Sequence, residues 1–233
     1  EKESKVDEKK VPQTSKQLIG YDRNTNELVI LVTGLPTSKS AKDLNNYVLN
    51  GKTLKELGAS KVLFGDAQDD DFNVVVSEQL QGVEYKVIRI EVPKNSVEKS
   101  GPVDFTVRGL AHKDGAVMTE VTTVLDLEDN TAPKYVSGKI KGDGIIELKF
   151  DEPLDKVKDA TDESIVNNFS AVVDGVETQV LSASINENIL TLTVANDLKD
   201  AKQVKINVKL NANGKMEITD KIGNELDVQT ITV

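Results

Sequence analysis

Apolar residues recur at every second position through much of this chain. Val103, Phe105 and Val107 alternate with Asp104, Thr106 and Arg108, and Ile146, Leu148 and Phe150 with Glu147, Lys149 and Asp151. Val204, Ile206 and Val208 do the same with Lys205, Asn207 and Lys209. A period of two puts one face of a pleated strand on a core and the other in water. Alternation over 117–125 predicts another such strand. Residues 27–33 (ELVILVT) are apolar without alternation, which predicts a strand buried on both faces. In 85–92 the apolar set changes face midway, which predicts a bulge. Shorter strands are predicted at 18–19, 61–64, 72–77, 135–140, 169–173, 180–185, 189–194 and 228–233. Asn24-Thr25-Asn26, Asn50-Gly51, Gly142-Asp143-Gly144, Asp174-Gly175 and Asn186-Glu187-Asn188 supply the turns between them. Helical signals are brief. Ser40 stands three residues before Asp43 as a helix start, with Leu44, Tyr47 and Val48 at helical spacing, and a second helical turn is predicted at 161–167.

The polar, acidic stretch 126–133 closes one run of strands and opens another of similar plan. Pro133 holds Ala132 extended at the start of the second run. Landmarks repeat in order: Pro36 with Pro153, Asn46-Tyr47 with Asn168-Phe169, Gly51 with Gly175, Leu80 with Leu198, and Tyr85-Lys86-Val87 with Val204-Lys205-Ile206. The expected fold is all-β, with two tandem Ig-like β-sandwich domains, each carrying a short helical turn. Residues 1–10 are expected to be a flexible leader or the end of a preceding domain, 11–127 the first, diverged sandwich and 128–233 the second.

Composition narrows the function. The net charge is −10, so no basic stripe exists to neutralise nucleic-acid phosphates or to hold an anionic membrane. There is no Cys, which excludes disulfides, thiol catalysis and Cys-based zinc sites. Aromatics are 4% with no Trp, so the cores are built from Val, Ile and Leu, and sugar-stacking platforms are few. No apolar run approaches the roughly 20 residues that span a bilayer. The first residue is Glu, as expected of an excised piece or a mature form.

The second half resembles the bacterial Ig-like domains of surface-layer and cell-wall-associated proteins. The matching words are Asp129-Asn130-Thr131-Ala132-Pro133, Ile146-Glu147-Leu148-Lys149-Phe150-Asp151-Glu152-Pro153-Leu154, Asn168-Phe169, and Ile218-Thr219-Asp220-Lys221-Ile222-Gly223-Asn224-Glu225-Leu226. The last contains the D-x-x-G-N loop of such domains. The first half departs from it, with Gly34-Leu35-Pro36 where an acidic pair would stand. The resemblance implies an extracellular protein of the bacterial surface, a surface layer or cell wall, in which such modules stand in series and assemble, often with calcium. Its partners would be neighbouring copies or domains of the same surface protein, and a cell-wall polymer held through parts outside this chain.

No catalytic motif accompanies this architecture, and a non-enzymatic role is expected. His112, the only His, lies in a turn and is expected to be an exposed loop residue without zinc partners. Asp69-Asp70-Asp71 near Asp66 offers oxygens for calcium, but a solvated turn explains it better. The stronger metal candidate is Asp126, Glu128 and Asp129, where calcium would relieve carboxylate repulsion at the junction. The competing reading is a polar linker without an ion. Asp151-Glu152 and Asp220 join such a site only if their loops fold back. Asn168-Phe169-Ser170 fits the N-glycosylation pattern, but its place in the repeat favours a structural turn. The leading expectation is a structural spacer and assembly segment. The alternative is an adhesin or a carbohydrate-binding accessory module of a secreted protein, which gathering Tyr21, Tyr47, Tyr85 or Tyr135 on one flat face would favour.

Overall fold

The computed structural model describes residues 10–66 and 82–233. It divides into two compact units, Glu1–Asn130 and Thr131–Val233. Both are all-β sandwiches.

In the first unit, β1 (Ile19–Asp22), β2 (Glu27–Thr33), β5 (Val62–Asp66) and β6 (Tyr85–Glu91) form a sheet in the order β1-β2-β6-β5. A second sheet contains β3 (Tyr47–Leu49), β4 (Lys52–Thr53), β7 (Gly101–Val107) and β8 (Val121–Leu127), in the order β4-β3-β7-β8. The inner faces meet in one core, with Leu28, Ile30, Ile88 and Ile90 from the first sheet and Tyr47, Leu49, Phe105 and Leu125 from the second. The non-alternating β2 is buried on both faces, as its sequence predicts. Its outer residues Val29 and Leu31 pack with Leu18 and Val87 in a separate small cluster.

That outer cluster corrects the bulge expected in β6. β2 and β6 pair without a register shift from Glu27↔Glu91 to Thr33↔Tyr85. The apolar set changes face because Val87 serves the outer cluster while Ile88 and Ile90 serve the core. Leu18, expected to open a strand, lies in a 3-10 turn, Lys16–Leu18. That turn interrupts an edge whose two ends are tied by the Gln13↔Thr33 bridge and the Ile19↔Ile30 pair. The long strand expected over 117–125 begins only at Val121, and Val117 is exposed in an isolated bridge to Ala111.

The first helical signal also resolves differently. Thr37, not Ser40, caps α1 (Ser38–Ala41), and Asp43 caps a single 3-10 turn, Leu44–Asn46. Tyr47 and Val48 then belong to β3. Tyr47 and Leu49 point into the core and Val48 points out, so the period there is two. The predicted strand at 72–77 lies outside the described residues.

In the second unit, β9 (Tyr135–Gly142), β10 (Ile145–Phe150), β14 (Val180–Asn186) and β15 (Ile189–Val194) form a sheet in the order β14-β15-β10-β9. β12 (Phe169–Val173), β13 (Val176–Thr178), β16 (Val204–Val208) and β18 (Gln229–Thr232) form the other, in the order β13-β12-β16-β18. A short ladder joins β11 (Leu154–Lys156) to β17 (Ile218–Asp220). α2 (Asp162–Ile165) falls where predicted, with a capping box between Thr161 and Ser164.

With β11 and β17 set aside, the two units share one strand order. The turn after the first strand of the second sheet is the same in both. Asn50 and Gly51 have φ of 48° and 83°, and so do Asp174 and Gly175, values that suit a two-residue hairpin turn. Tyr47 pairs with Val107 and Phe169 with Val208. This register corrects one repeat landmark: Tyr85-Lys86-Val87 lies in β6, whose counterpart is β15, whereas Val204-Lys205-Ile206 lies in β16, the counterpart of β7. Tyr85-Lys86-Val87 and Val204-Lys205-Ile206 share one local alternation, so their hydrogen-bonding partners tell them apart. Leu80 lies outside the described residues.

Candidate functional site

The candidate calcium ligands sit at the end of β8, where the pleat decides their fates. Asp126 and Glu128 fall on the exposed side, and Leu127 and Asp129 on the buried side. Arg23, from the β1–β2 turn, meets the exposed pair. Its Nη1 lies 2.8 Å from Glu128 Oε1 and its Nη2 3.9 Å from Asp126 Oδ2. A protein cation thus already opposes two of the three carboxylates. Glu128 also acts on Tyr21, whose hydroxyl pKa is pushed up by burial and by that nearby carboxylate.

Asp129 is separated from this pair. It is buried, and its backbone N–H donates to Ser100 Oγ at 2.9 Å. Asn130 then anchors the end of the unit. Its Oδ1 accepts from the N–H groups of Ser96 and Val97, and its Nδ2 donates to the Pro93 carbonyl. Asp66 forms an ion pair with Lys86, and Asp69-Asp70-Asp71 lies outside the described residues.

The second unit gathers a different acidic pair. Asp220 is 2% exposed. Its Oδ1 accepts from the N–H groups of Ile222, Gly223 and Asn224 at 2.8, 2.7 and 2.9 Å, and its Oδ2 from Asn224 Nδ2 at 2.7 Å. The D-x-x-G-N word therefore has a local cause. The Asp carboxylate organises the loop amides, Gly223 takes φ of 108°, and the Asn side chain closes the ring. The β11–β17 ladder sets Leu154 opposite Asp220, which brings Glu152 round, so carboxylate oxygens of Glu152 and Asp220 lie within 4.8 Å. Asp151 turns away and accepts the Lys134 N–H at 2.7 Å. Reasoning from the sequence left this approach open, because it depends on a pairing between strands some sixty residues apart.

His112 departs from expectation. It is buried, 6% exposed, rather than an exposed loop residue. Its backbone closes a turn with Ala116, and its Nδ1 lies 3.0 Å from Asp114 Oδ1. The Ala116 N–H and then His112 hold the Asp114 carboxyl below its usual range. The three tyrosines of the first unit form no shared platform. Tyr47 is fully buried, with its hydroxyl donating to the Ala41 carbonyl. Tyr21 and Tyr85 pack on different clusters of the first unit, and Tyr135 stacks edge-on against Phe150 at 6.2 Å.

Asn168 is a structural residue. It is fully buried, its Nδ2 donates to the carbonyls of Lys209 and Lys215, both at 2.9 Å, and its Oδ1 accepts the Glu217 N–H. All the hydrogen-bonding groups that a glycan linkage would need are occupied inside the fold. No helix among the described residues is long and apolar enough to cross a membrane.

No family model matches the chain, and no curated protein matches it. Among solved structures, the Pseudomonas aeruginosa CupB2 chaperone matches with 13% sequence identity over 90% of this chain and 98% of that chain, at a TM-score of 0.19. A score that low carries no argument about this chain.

Proposed function

We propose that this chain is a non-enzymatic structural segment of an extracellular bacterial surface-layer or cell-wall-associated protein. It acts as a spacer and assembly module whose partners are neighbouring copies or domains of the same surface protein, with wall polymer held elsewhere in the parent. The supporting observation is the shared strand order of the two units, down to equal turn geometry at Asn50-Gly51 and Asp174-Gly175. Duplication of one sandwich lengthens a chain and repeats its edges without creating a reaction centre. The densely bonded polar side chains of Asn130, Asn168 and Asp220 all tie loops. Exposed strand edges supply the contacts for assembly.

Calcium at Asp126, Glu128 and Asp129 is the ion-dependent form of this proposal. Arg23 competes with it, because the guanidinium occupies the exposed face of the first two residues. Sedimentation velocity over a range of protein concentrations, in calcium and in chelator, tests the assembly role. Concentration-dependent association supports it. A monomer under every condition removes assembly from the proposal.

A further inference from the structure

We propose that a cleft in the second unit binds an acidic oligosaccharide. The proposal stands independently of the surface-segment reading. The cleft has a volume of about 710 Å³, within the range of about 300–1,000 Å³ usual for small-molecule sites. It opens where β13 ends at Thr178 and the chain leaves for β14, so β12 loses its neighbour beside Phe169 and Ser170. The loop 209–213 forms the facing wall.

Charge singles this cleft out. The chain has 39 acidic residues and a net charge of −10, yet no Asp or Glu lines the cleft, and Lys209 is its one charged side chain. An acidic protein that keeps one concavity free of carboxylates, with an ammonium in it, favours a neutral or anionic occupant over a cation.

The remaining chemistry points to a polyol. Gln179, Asn211, Asn213 and Asn167 bring four amides to the rim. The side chains of Gln179, Asn213 and Lys209 make no hydrogen bond or ion pair among the described residues. Asn211 spends only its Oδ1, on the N–H groups of Asn213 and Lys215, and Asn167 only its Nδ2, on the Ser164 carbonyl. Amides present a donor and an acceptor side by side, which suits vicinal hydroxyls. Leu210, 48% exposed, supplies an apolar surface for the C–H face of a sugar ring. Lys209 then takes a ring carboxylate through a charge-assisted hydrogen bond. A hexuronate-containing oligosaccharide meets all three demands.

Calorimetric titration of the whole chain with tetragalacturonate and with maltotetraose tests this. The acidic tetramer is expected to bind about tenfold more tightly than the neutral one, the contribution of one charge-assisted hydrogen bond. Lys209→Gln should abolish that difference. Gln179→Ala with Asn213→Ala should weaken both sugars. The three side chains are exposed and unbonded, so the variants should keep the wild-type melting temperature. No binding of tetragalacturonate, equal binding of the two sugars, or unchanged binding in the variants overturns the proposal.

Discussion

Asn168 Nδ2 donates to the Lys209 carbonyl at 2.9 Å, fixing the loop after β16 to the residue just before β12. With its bonds to Lys215 and Glu217, this amide substitutes for backbone pairing where the sheet gives way to loop. Asn168→Ala would leave the Lys209 carbonyl and the Glu217 N–H without partners, while the Lys215 carbonyl keeps the Asn211 N–H. Each unsatisfied group costs about 1–3 kcal/mol, so the expected loss is about 3 kcal/mol, with a melting temperature lower by about 10 °C or more. Asn207→Ala is the comparison. Asn207 sits in an outer-face ladder with Ser170 and Thr230, and its loss should cost under about 1 kcal/mol. Thermal unfolding of both variants separates the two cases, and equal losses would sink the assignment.

Gly109 tests a close approach in the first unit. Its φ is +69°, and a Cβ there would stand 2.1 Å from Asn46 Oδ1. Gly115 also has positive φ, but nothing lies within 4 Å of its Cβ position. Gly109→Ala should therefore destabilise by about 2–3 kcal/mol and Gly115→Ala by about 1 kcal/mol. Denaturant titration measures the difference, and the order of the two losses is the diagnostic result.

Acid should weaken the first unit. The Thr53 N–H and hydroxyl hold the Glu56 carboxyl down, and the Ala116 N–H followed by His112 does so for Asp114. Burial works the other way at Asp22, but hydrogen bonds led by the Asn24 N–H outweigh it. A carboxyl whose folded pKa lies below its unfolded value stabilises the fold above the unfolded pKa. That contribution disappears as pH falls through the folded value. Melting temperature should thus fall as pH drops through and below the ordinary carboxylate range of about 4. Glu56→Gln and Asp114→Asn should each flatten the decline, and an unchanged slope in both would refute the assignment.

Arg23 offers a direct test of the calcium arm. Both its carboxylate partners are exposed, so Arg23→Gln should change stability by no more than about 1 kcal/mol. It also removes the competing charge beside Asp126 and Glu128. If these residues hold calcium with Asp129, the variant should bind calcium more tightly than the wild type, and Asp129→Asn should reverse the gain. Calorimetric calcium titration reads both, and identical isotherms for all three proteins would remove calcium from these residues.

Much of this protein follows from the sequence alone. Alternation named most strands, because a pleated strand with one wet face admits little else. ELVILVT announced burial on both faces, and Asp174-Gly175 fixed its turn through local backbone sterics. What the sequence left open was decided by partners distant along the chain. Tyr85-Lys86-Val87 and Val204-Lys205-Ile206 carry the same local pattern, yet pairing with β2 or with β12 sends them to different sheets. His112 is buried although its turn, rich in Lys, Asp and Gly, reads as an exposed loop. Asp126, Glu128 and Asp129 look like one acidic cluster until the pleat turns the third away and Arg23 reaches the first two. Glu152 meets Asp220 only because β11 pairs with β17. Local pattern sets what each segment can be, whereas hydrogen-bonded register and packing set which segments meet, and sites are made where segments meet.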